Sequence, residues 1–286
     1  MSTVSAAHVT TGSLATAVGE VELNEGGVGG PAPLVYLHSA NGEGAGLSFL
    51  ENLAASRRVV APVFPGFGAS EGVEHIEDIE DAAFHVIDVM DRLQIQTADL
   101  VGMSLGGWMA AEVAVRWPER VRRMVLVNSV GLYVEGSRIT EIFGRKLDEL
   151  AAELFADPEF PVAQLMRMMA GAARDPASIP FDLLRPFIQA EAVTAKIGWN
   201  PYLHNPKLRG RLGRITAPTL VVHGVQDGIV PRAHAVAFAQ GIPQASLVDL
   251  ESTAHLAVIE RPDEASELVA AHLGDLSEPS SISSSP

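Results

Sequence analysis

Ser104 lies at the centre of a G-x-S-x-G pattern, which the letters GMSLG form at residues 102–106. A serine hydroxyl is a weak nucleophile at neutral pH, so covalent chemistry there requires a general base within hydrogen-bond reach and an acid that orients this base. The same pattern also occurs where a serine simply occupies a tight glycine turn. The neighbouring residues must decide between a nucleophile and a structural turn.

The residues on both sides of Ser104 predict a strand, a sharp turn and a helix. Residues 97–101 form a short apolar run, and residues 105–116 are rich in Ala, Met and Val. Glycine on either side of the serine lets the helix approach the strand closely, which permits the strained turn that lifts the hydroxyl out of a sheet. This placement favours a nucleophile at Ser104.

An acid and a base follow later in the chain. Asp227 follows the apolar strand at residues 219–222, and His255 follows the next strand at residues 246–249. Taken singly, the aspartate could cap a turn and the histidine could lie at the surface. Their order, with each residue placed after a strand, favours a catalytic triad. We therefore predict Ser104 as nucleophile, His255 as general base and Asp227 as the acid that orients it.

Short apolar runs alternate with helical patterns along the chain, which predicts an α/β fold with a mostly parallel sheet and helices on both faces. The predicted parallel strands are residues 34–37, 58–63, 98–101, 124–127, 219–222 and 246–249. Residues 7–23 predict a hairpin at the antiparallel edge of the sheet, followed by a glycine-rich turn at residues 24–31.

The strand pattern breaks between residues 133 and 214, which predicts a helical insertion between two strands of the sheet. We expect a core domain at residues 1–132 and 215–276, with the insertion at 133–214. Residues 277–286 are almost entirely Ser and Pro, a composition typical of a disordered tail.

From residue 34 to residue 273 the sequence resembles the α/β-hydrolase superfamily. Its motifs are LH at residues 37–38, PGFGAS at 65–70, the serine turn, DGIVP at 227–231 and HLAVIERP at 255–262. The resemblance implies an oxyanion hole made by the backbone amides of Ala40 and Leu105. Ser39 stands where the family usually has glycine. Relatives that open epoxides or displace halide use Asp as nucleophile, so Ser104 argues against both activities.

The resemblance also implies that residues 133–214 form a cap over the active site. This segment is rich in Met and aromatic residues, which predicts an apolar and adaptable inner surface. We expect substrate contacts from Met103, Met166, Met169 and Trp199. The candidates for holding a substrate carboxylate are Arg167, Arg174 and Arg185. The same apolar residues suit a dimer interface equally well, so a homodimer stays open.

Composition disfavours several other classes of protein. The formal net charge of -15 would repel nucleic acid and anionic membranes, so neither is expected as a partner. The chain has no cysteine, which excludes disulfides, thiolate metal ligands and a cysteine nucleophile. We expect no metal and no cofactor. The sequence predicts neither a membrane helix nor a signal peptide, so we expect a cytoplasmic protein.

These observations predict a serine hydrolase, with a carboxylesterase for a small to medium apolar ester as the main hypothesis. The alternative is a carbon–carbon bond hydrolase of ring-cleavage products, which a carboxylate-binding arginine in the pocket would favour. A ligand-sensing receptor built on the same scaffold also stays open, as does perhydrolysis by the same serine.

Overall fold

The computed structural model of the chain describes residues 8–172 and 181–274. Arg174 and the tail predicted at residues 277–286 lie outside the described residues. In this part of the chain one eight-stranded sheet has the strand order β1-β2-β4-β3-β5-β6-β7-β8. Its strands are β1 (Thr10–Ala15), β2 (Glu20–Gly26), β3 (Leu34–Leu37), β4 (Val59–Pro62), β5 (Ala98–Met103), β6 (Val121–Val127), β7 (Thr219–Gly224) and β8 (Ala245–Leu250).

The antiparallel edge predicted from residues 7–23 is confirmed. β1 pairs with β2 in antiparallel register, and β2 pairs antiparallel with β4. The other strands pair in parallel. β2 extends beyond the predicted boundary into the glycine-rich segment, because residues 24–26 continue the ladder with residues 59–61 of β4.

Helices cover both faces of the sheet, as the alternating pattern predicts. They are α1 (Ser48–Ala54), α2 (Ile79–Arg92), α3 (Leu105–Arg116), α4 (Leu147–Leu154), α5 (Pro161–Ala172), α6 (Phe181–Gly198), α7 (Arg232–Gly241), α8 (Ala257–Glu260) and α9 (Pro262–Leu273). α1 packs against α9, and α2 packs against α3. Strands β3, β4, β5 and β7 are buried along their whole length, which explains their nearly continuous apolar sequences.

Three α-helices lie among the described residues between β6 and β7, where the strand pattern breaks. We call α4, α5 and α6 the insert helices. α4 packs against α5, while α6 follows residues 173–180, which are not described. Within the described ranges, no helix combines the length and the apolar character that crossing a membrane requires.

Candidate active site

The turn at Ser104 joins β5 to α3 in a strained conformation. Ser104 has φ 54° and ψ −110°, a backbone geometry that L-residues rarely adopt. A Cβ at Gly106 would lie 2.0 Å from the carbonyl oxygen of Leu37, and one at Gly102 would lie 2.3 Å from that of Gly106. Both positions therefore need glycine, because a side chain at either one would separate the helix from the strands beneath it.

Ser104, His255 and Asp227 form a continuous chain of hydrogen bonds at the carboxyl edge of the sheet. Ser104 Oγ lies 2.8 Å from His255 Nε2, and His255 Nδ1 lies 2.9 Å from Asp227 Oδ2. A carboxylate only accepts, so His255 Nδ1 carries the proton and Nε2 is free to accept the serine proton. This is the arrangement that a general base requires to activate a hydroxyl nucleophile.

Asp227 is fixed by backbone donors as well as by the histidine. Its Oδ1 accepts from the N–H groups of Ile229 at 2.8 Å and Val230 at 2.9 Å. The carboxylate is fully buried, and the His255 side chain is only 4% exposed. The sequence DGIV therefore forms a tight loop whose amides hold the acid, while both carboxylate oxygens lie within hydrogen-bond distance of the imidazole.

Asn128 joins the loops that carry the acid and the base, a contact that the sequence reasoning missed. It follows β6 directly and is 1% exposed. Its Nδ2 donates to the carbonyl oxygens of Ala254 at 2.9 Å and His255 at 2.8 Å, and its Oδ1 accepts from Gly224 N at 2.8 Å. The available signal in the sequence was an asparagine directly after β6. This strand lies between β5 and β7 and ends at the same edge of the sheet.

The loop after β3 is held by a half-buried carboxylate. Glu43 accepts hydrogen bonds from Tyr36 Oη at 2.7 Å, Ser39 N at 2.7 Å and Ser39 Oγ at 2.6 Å. Ser39 Oγ in turn accepts from Asn41 N at 3.0 Å. The serine that replaces the usual glycine therefore fastens this loop around Ala40. Burial, with the carboxylate of Glu43 nearby, raises the pKa of Tyr36.

His38 belongs to the scaffold of the same loop. Its Nε2 accepts from Phe64 N at 2.9 Å, so its Nδ1 donates to the carbonyl oxygen of Ser39 at 2.6 Å. An imidazole with one donating and one accepting nitrogen is neutral. Burial lowers the pKa of His38 and so favours this neutral form.

A cavity of about 340 Å³ opens beside Ser104 and His255. Its wall is largely apolar and combines the loops of the sheet edge with the insert helices. Ala40 and Leu105 both border it, and Leu105 is the first residue of α3, where backbone N–H groups have no acceptor within the helix. The assignment of these two amides to an oxyanion hole stays a prediction that this placement favours.

Comparison with known proteins places this geometry in a family. A family model described as alpha/beta hydrolase fold matches residues 32–262. The chain belongs to this family. The α/β-hydrolase is 32% identical over 278 residues to a 2-hydroxymuconate semialdehyde hydrolase of Pseudomonas sp. (strain CF600), an alignment that covers 88% of the chain and 90% of the relative.

Two further relatives carry related names. A 2-hydroxy-6-oxo-6-phenylhexa-2,4-dienoate hydrolase of Burkholderia cepacia is 30% identical over 264 residues, covering 85% of the chain and 87% of the relative. The solved structure of a hydrolase of the same name from Rhodococcus sp. strain RHA1 aligns with a TM-score of 0.74 at 26% identity. That alignment covers 94% of this α/β-hydrolase and 99% of the other chain.

Of the four predicted substrate contacts, only Met166 lies in the described wall of the cavity. Met103 is fully buried in the core, because β5 is covered on both faces. Met169 is buried away from the cavity, and Trp199 is 62% exposed with its ring 5.3 Å from that of Phe143. The predictions for Met103, Met169 and Trp199 are therefore corrected, since sequence does not show which face of an element meets the cavity.

The arginine in the cavity wall is Arg145, which the sequence reasoning did not single out. It lies near two carboxylates of α4, at 3.5 Å from Glu149 and 3.2 Å from Glu153. Arg167 instead donates to the carbonyl oxygen of Pro158 at 2.6 Å, and Arg185 is exposed to solvent. Among the described residues, the other charged side chains in the wall are the carboxylates of Glu43 and Glu191.

No group of three or more His, Asp or Glu side chains in residues 8–172 and 181–274 comes together as a metal site would require. The histidines and carboxylates at the sheet edge are instead arranged in pairs and hydrogen-bonded networks. Proton transfer between Ser104 and His255 is the chemistry that this geometry offers.

Proposed function

We propose that this α/β-hydrolase is a serine hydrolase that cleaves an activated carbon–carbon bond beside a carbonyl group, in a substrate of the 2-hydroxy-6-oxo-dienoate type. The hydrogen-bonded chain from Ser104 through His255 to Asp227, at the end of an apolar cavity, carries the proposal. The names of relatives about one-third identical over most of the chain support the substrate class.

Ser104 Oγ attacks the carbonyl carbon while His255 Nε2 takes its proton. The carbonyl oxygen becomes an oxyanion, which the amides of Ala40 and Leu105 stabilise. The scissile bond then breaks, its electron pair leaves with the departing group, and His255 returns the proton to that group. Water activated by His255 next hydrolyses the acyl-serine, so one water is consumed in each turnover.

A carbon leaving group requires an electron sink, which the keto tautomer of such a substrate provides. In that tautomer the proton of the 2-hydroxyl group has moved to C5, so the electron pair of the broken C5–C6 bond enters the adjacent enone and ends on the oxygen at C2. This chemistry therefore needs no cofactor. The carboxylate of such a substrate requires a cationic partner in the cavity. Arg145 in the insert is the described residue that fits this role.

Ester hydrolysis is the second candidate, and one observation favours it. Arg145 already lies near two carboxylates of α4, and the cavity wall also contains the carboxylates of Glu43 and Glu191. A neutral apolar ester would avoid the repulsion that these groups exert on an anionic substrate. The same triad and oxyanion donors would perform the reaction, with an alkoxide as the leaving group.

Parallel kinetics on the two substrate classes test the proposal. We expect the protein to hydrolyse 2-hydroxy-6-oxohepta-2,4-dienoate, which is followed by the loss of its absorbance. The kcat/KM for this substrate should exceed that for every p-nitrophenyl ester in a chain-length series. Ser104→Ala should abolish both reactions and also labelling by a fluorophosphonate probe, measured by intact mass. Arg145→Gln should raise KM for the dienoate about tenfold more than KM for the esters, because a charged hydrogen bond is lost.

Arg167→Gln is the matched control. Arg167 belongs to the same insertion, but it donates to the carbonyl oxygen of Pro158 and does not border the cavity. It should leave the ratio of the two KM values unchanged. Ester turnover without dienoate turnover would assign the protein to the second candidate. A folded protein that is neither labelled nor active on either class would favour the receptor hypothesis instead.

A further inference from the structure

One face of α6 borders the cavity with residues spaced by three or four positions. These residues are Pro186, Phe187, Ala190, Glu191 and Thr194. Positions with this spacing lie on one side of a helix, so this stripe is the part of α6 that a bound substrate meets. Glu191 in this row is already engaged, because its Oε1 accepts from Gly144 N at 2.8 Å.

Thr194 brings a hydroxyl to this mostly apolar face. The residue is 1% exposed, and its Oγ1 has no hydrogen-bond partner in the part of the chain that the structure describes. A threonine in a helix ordinarily satisfies its hydroxyl on a carbonyl oxygen three or four residues earlier. An unpaired buried hydroxyl destabilises a fold, so its presence in a cavity wall calls for an explanation in terms of binding.

Neighbours of Thr194 on α6 pack against the loops at the edge of the sheet. A Cβ built at Gly66 would lie 2.6 Å from Val193 Cγ2, so α6 packs closely on the loop after β4. That loop packs in turn against the loop after β3, since a Cβ at Gly42 would lie 3.0 Å from the Phe67 ring. Lys196 Nζ also donates to the carbonyl oxygen of Val73 at 2.6 Å.

We propose that Thr194 is a specificity-determining residue whose hydroxyl donates a hydrogen bond to a keto or carboxylate oxygen of the substrate, at a distance from the scissile carbonyl. A rotation of about 120° about the Cα–Cβ bond moves the hydroxyl group to another staggered position, so the donor can reach the cavity when an acceptor is present. The assignment rests on the proposed function of Ser104 and adds a recognition group from α6.

Matched pairs of esters test this role. Each pair has one chain length and differs only by a keto oxygen: p-nitrophenyl pentanoate and 4-oxopentanoate, hexanoate and 5-oxohexanoate, heptanoate and 6-oxoheptanoate. The series covers three distances between the two carbonyl groups. For at least one pair, Thr194→Val should lower the ratio of kcat/KM for the oxo ester to kcat/KM for the plain ester about fivefold. Thr194→Ser should retain the ratio of the parent.

Stability separates recognition from a structural role. Thr194→Val removes a hydroxyl without a partner, so its Tm should equal or exceed that of the parent. Thr219→Val is the matched control. Thr219 is equally buried, but its hydroxyl donates to the carbonyl oxygen of Ala217 at 2.9 Å. It is the first residue of β7, at the end of the strand away from the Asp227 loop. The control should lower the Tm and leave the ester ratio unchanged.

Binding to Ser104→Ala protein distinguishes failure of this inference from failure of the proposed function. Calorimetric titration with the methyl esters of the same acids requires no turnover. In Ser104→Ala protein, adding Thr194→Val should change the ratio of the Kd values within at least one pair of methyl esters. This result is expected even if the parent protein hydrolyses no ester. Unchanged ratios for all three pairs in both assays, or a Tm loss like that of Thr219→Val, would overturn the role of Thr194.

Discussion

The two sides of the cavity are held in different ways. On the side of the sheet edge, hydrogen-bonded polar side chains fix each loop: Asp227 is held by two amides, Asn128 joins two loops, and Glu43 accepts three hydrogen bonds. On the insert side, α5 packs on α4 and leaves several large apolar side chains partly in solvent. In the described part of the insertion at residues 133–214, the exposed ones are Tyr133, Val162, Leu165, Met168, Ile188 and Trp199.

The two sides meet through backbone hydrogen bonds near the acid and the base. Gly228 N donates to the carbonyl oxygen of Glu153 at 3.1 Å, and Leu256 N donates to that of Leu154 at 3.2 Å. The end of α4 is therefore attached to the loops that carry Asp227 and His255, and α5 packs against α4. The contrast teaches that the groups proposed for chemistry lie on the rigid side and that substrate selection depends on the more adaptable side.

Replacing Asp227, the acid of the proposed triad, should give the largest loss of kcat. Asp227→Asn removes the charge that holds the proton on His255 Nδ1 and should lower kcat about 10⁴-fold. Circular dichroism and Tm should show a folded protein. Steady-state kinetics check the rate, and retention of more than a tenth of the parent kcat would contradict the role of Asp227.

Loosening the support of the triad should give a smaller but still large loss. Asn128→Asp keeps the shape of the side chain but replaces two donated hydrogen bonds with repulsion between a carboxylate and two carbonyl oxygens. The His255 loop should shift, so kcat should fall about 10²-fold with a smaller change in KM.

Asn205→Asp is a control for the stability that an Asn→Asp change at a hydrogen-bonded position costs in general. Asn205 Nδ2 donates to the buried Glu112 at 2.8 Å, away from the triad. Both variants should lose stability by chemical denaturation, but only the change at Asn128 should lower kcat at a temperature where both are folded. Equal kinetic effects would mean that Asn128 contributes stability alone.

A buried histidine should make the stability of the core depend on pH. His85, on α2, has no partner for either ring nitrogen among the described residues, and burial lowers its pKa to about 4, opposed in part by Asp88. Between pH 6.5 and about 4 the unfolded chain binds a proton that the folded chain does not, so the free energy of unfolding falls as the pH falls.

Chemical denaturation at pH 7 and pH 4 measures this effect. Between pH 7 and pH 4, the free energy of unfolding of His85→Leu should fall by about 3 kcal/mol less than that of the parent. His75→Leu, which changes an exposed histidine, should lose as much as the parent. Parallel pH curves for the parent and His85→Leu would contradict the neutral, unpaired state of His85.

Reshaping the insert side should have the smallest effect and change selectivity rather than rate. Met166 borders the cavity, so Met166→Ala should favour longer acyl chains and shift the chain-length preference about threefold. Met168→Ala, on the same helix but 66% exposed, should leave that preference unchanged. A series of p-nitrophenyl esters measures both, and a fall in kcat common to all chain lengths would contradict a role in selectivity.

The amino-acid sequence was enough to predict the sheet, its antiparallel edge and the three residues of the hydrogen-bonded chain proposed as a triad. Those features have local signatures: continuous apolar runs for strands buried on both faces, glycines where a Cβ would meet the backbone, and polar residues directly after strands. Ser104, Asp227 and His255 could be found because the ends of parallel strands meet at one edge, whatever the length of chain between them.

Only the tertiary structure decided which side chains border the cavity. Met103, Met166 and Met169 are alike in sequence, yet only Met166 reaches the cavity, because its direction depends on how each element packs. The same holds for Arg145 instead of Arg167, for Asn128 between two loops and for the unpaired hydroxyl of Thr194. Periodicity identifies an element and its faces, but long-range packing decides what each face meets.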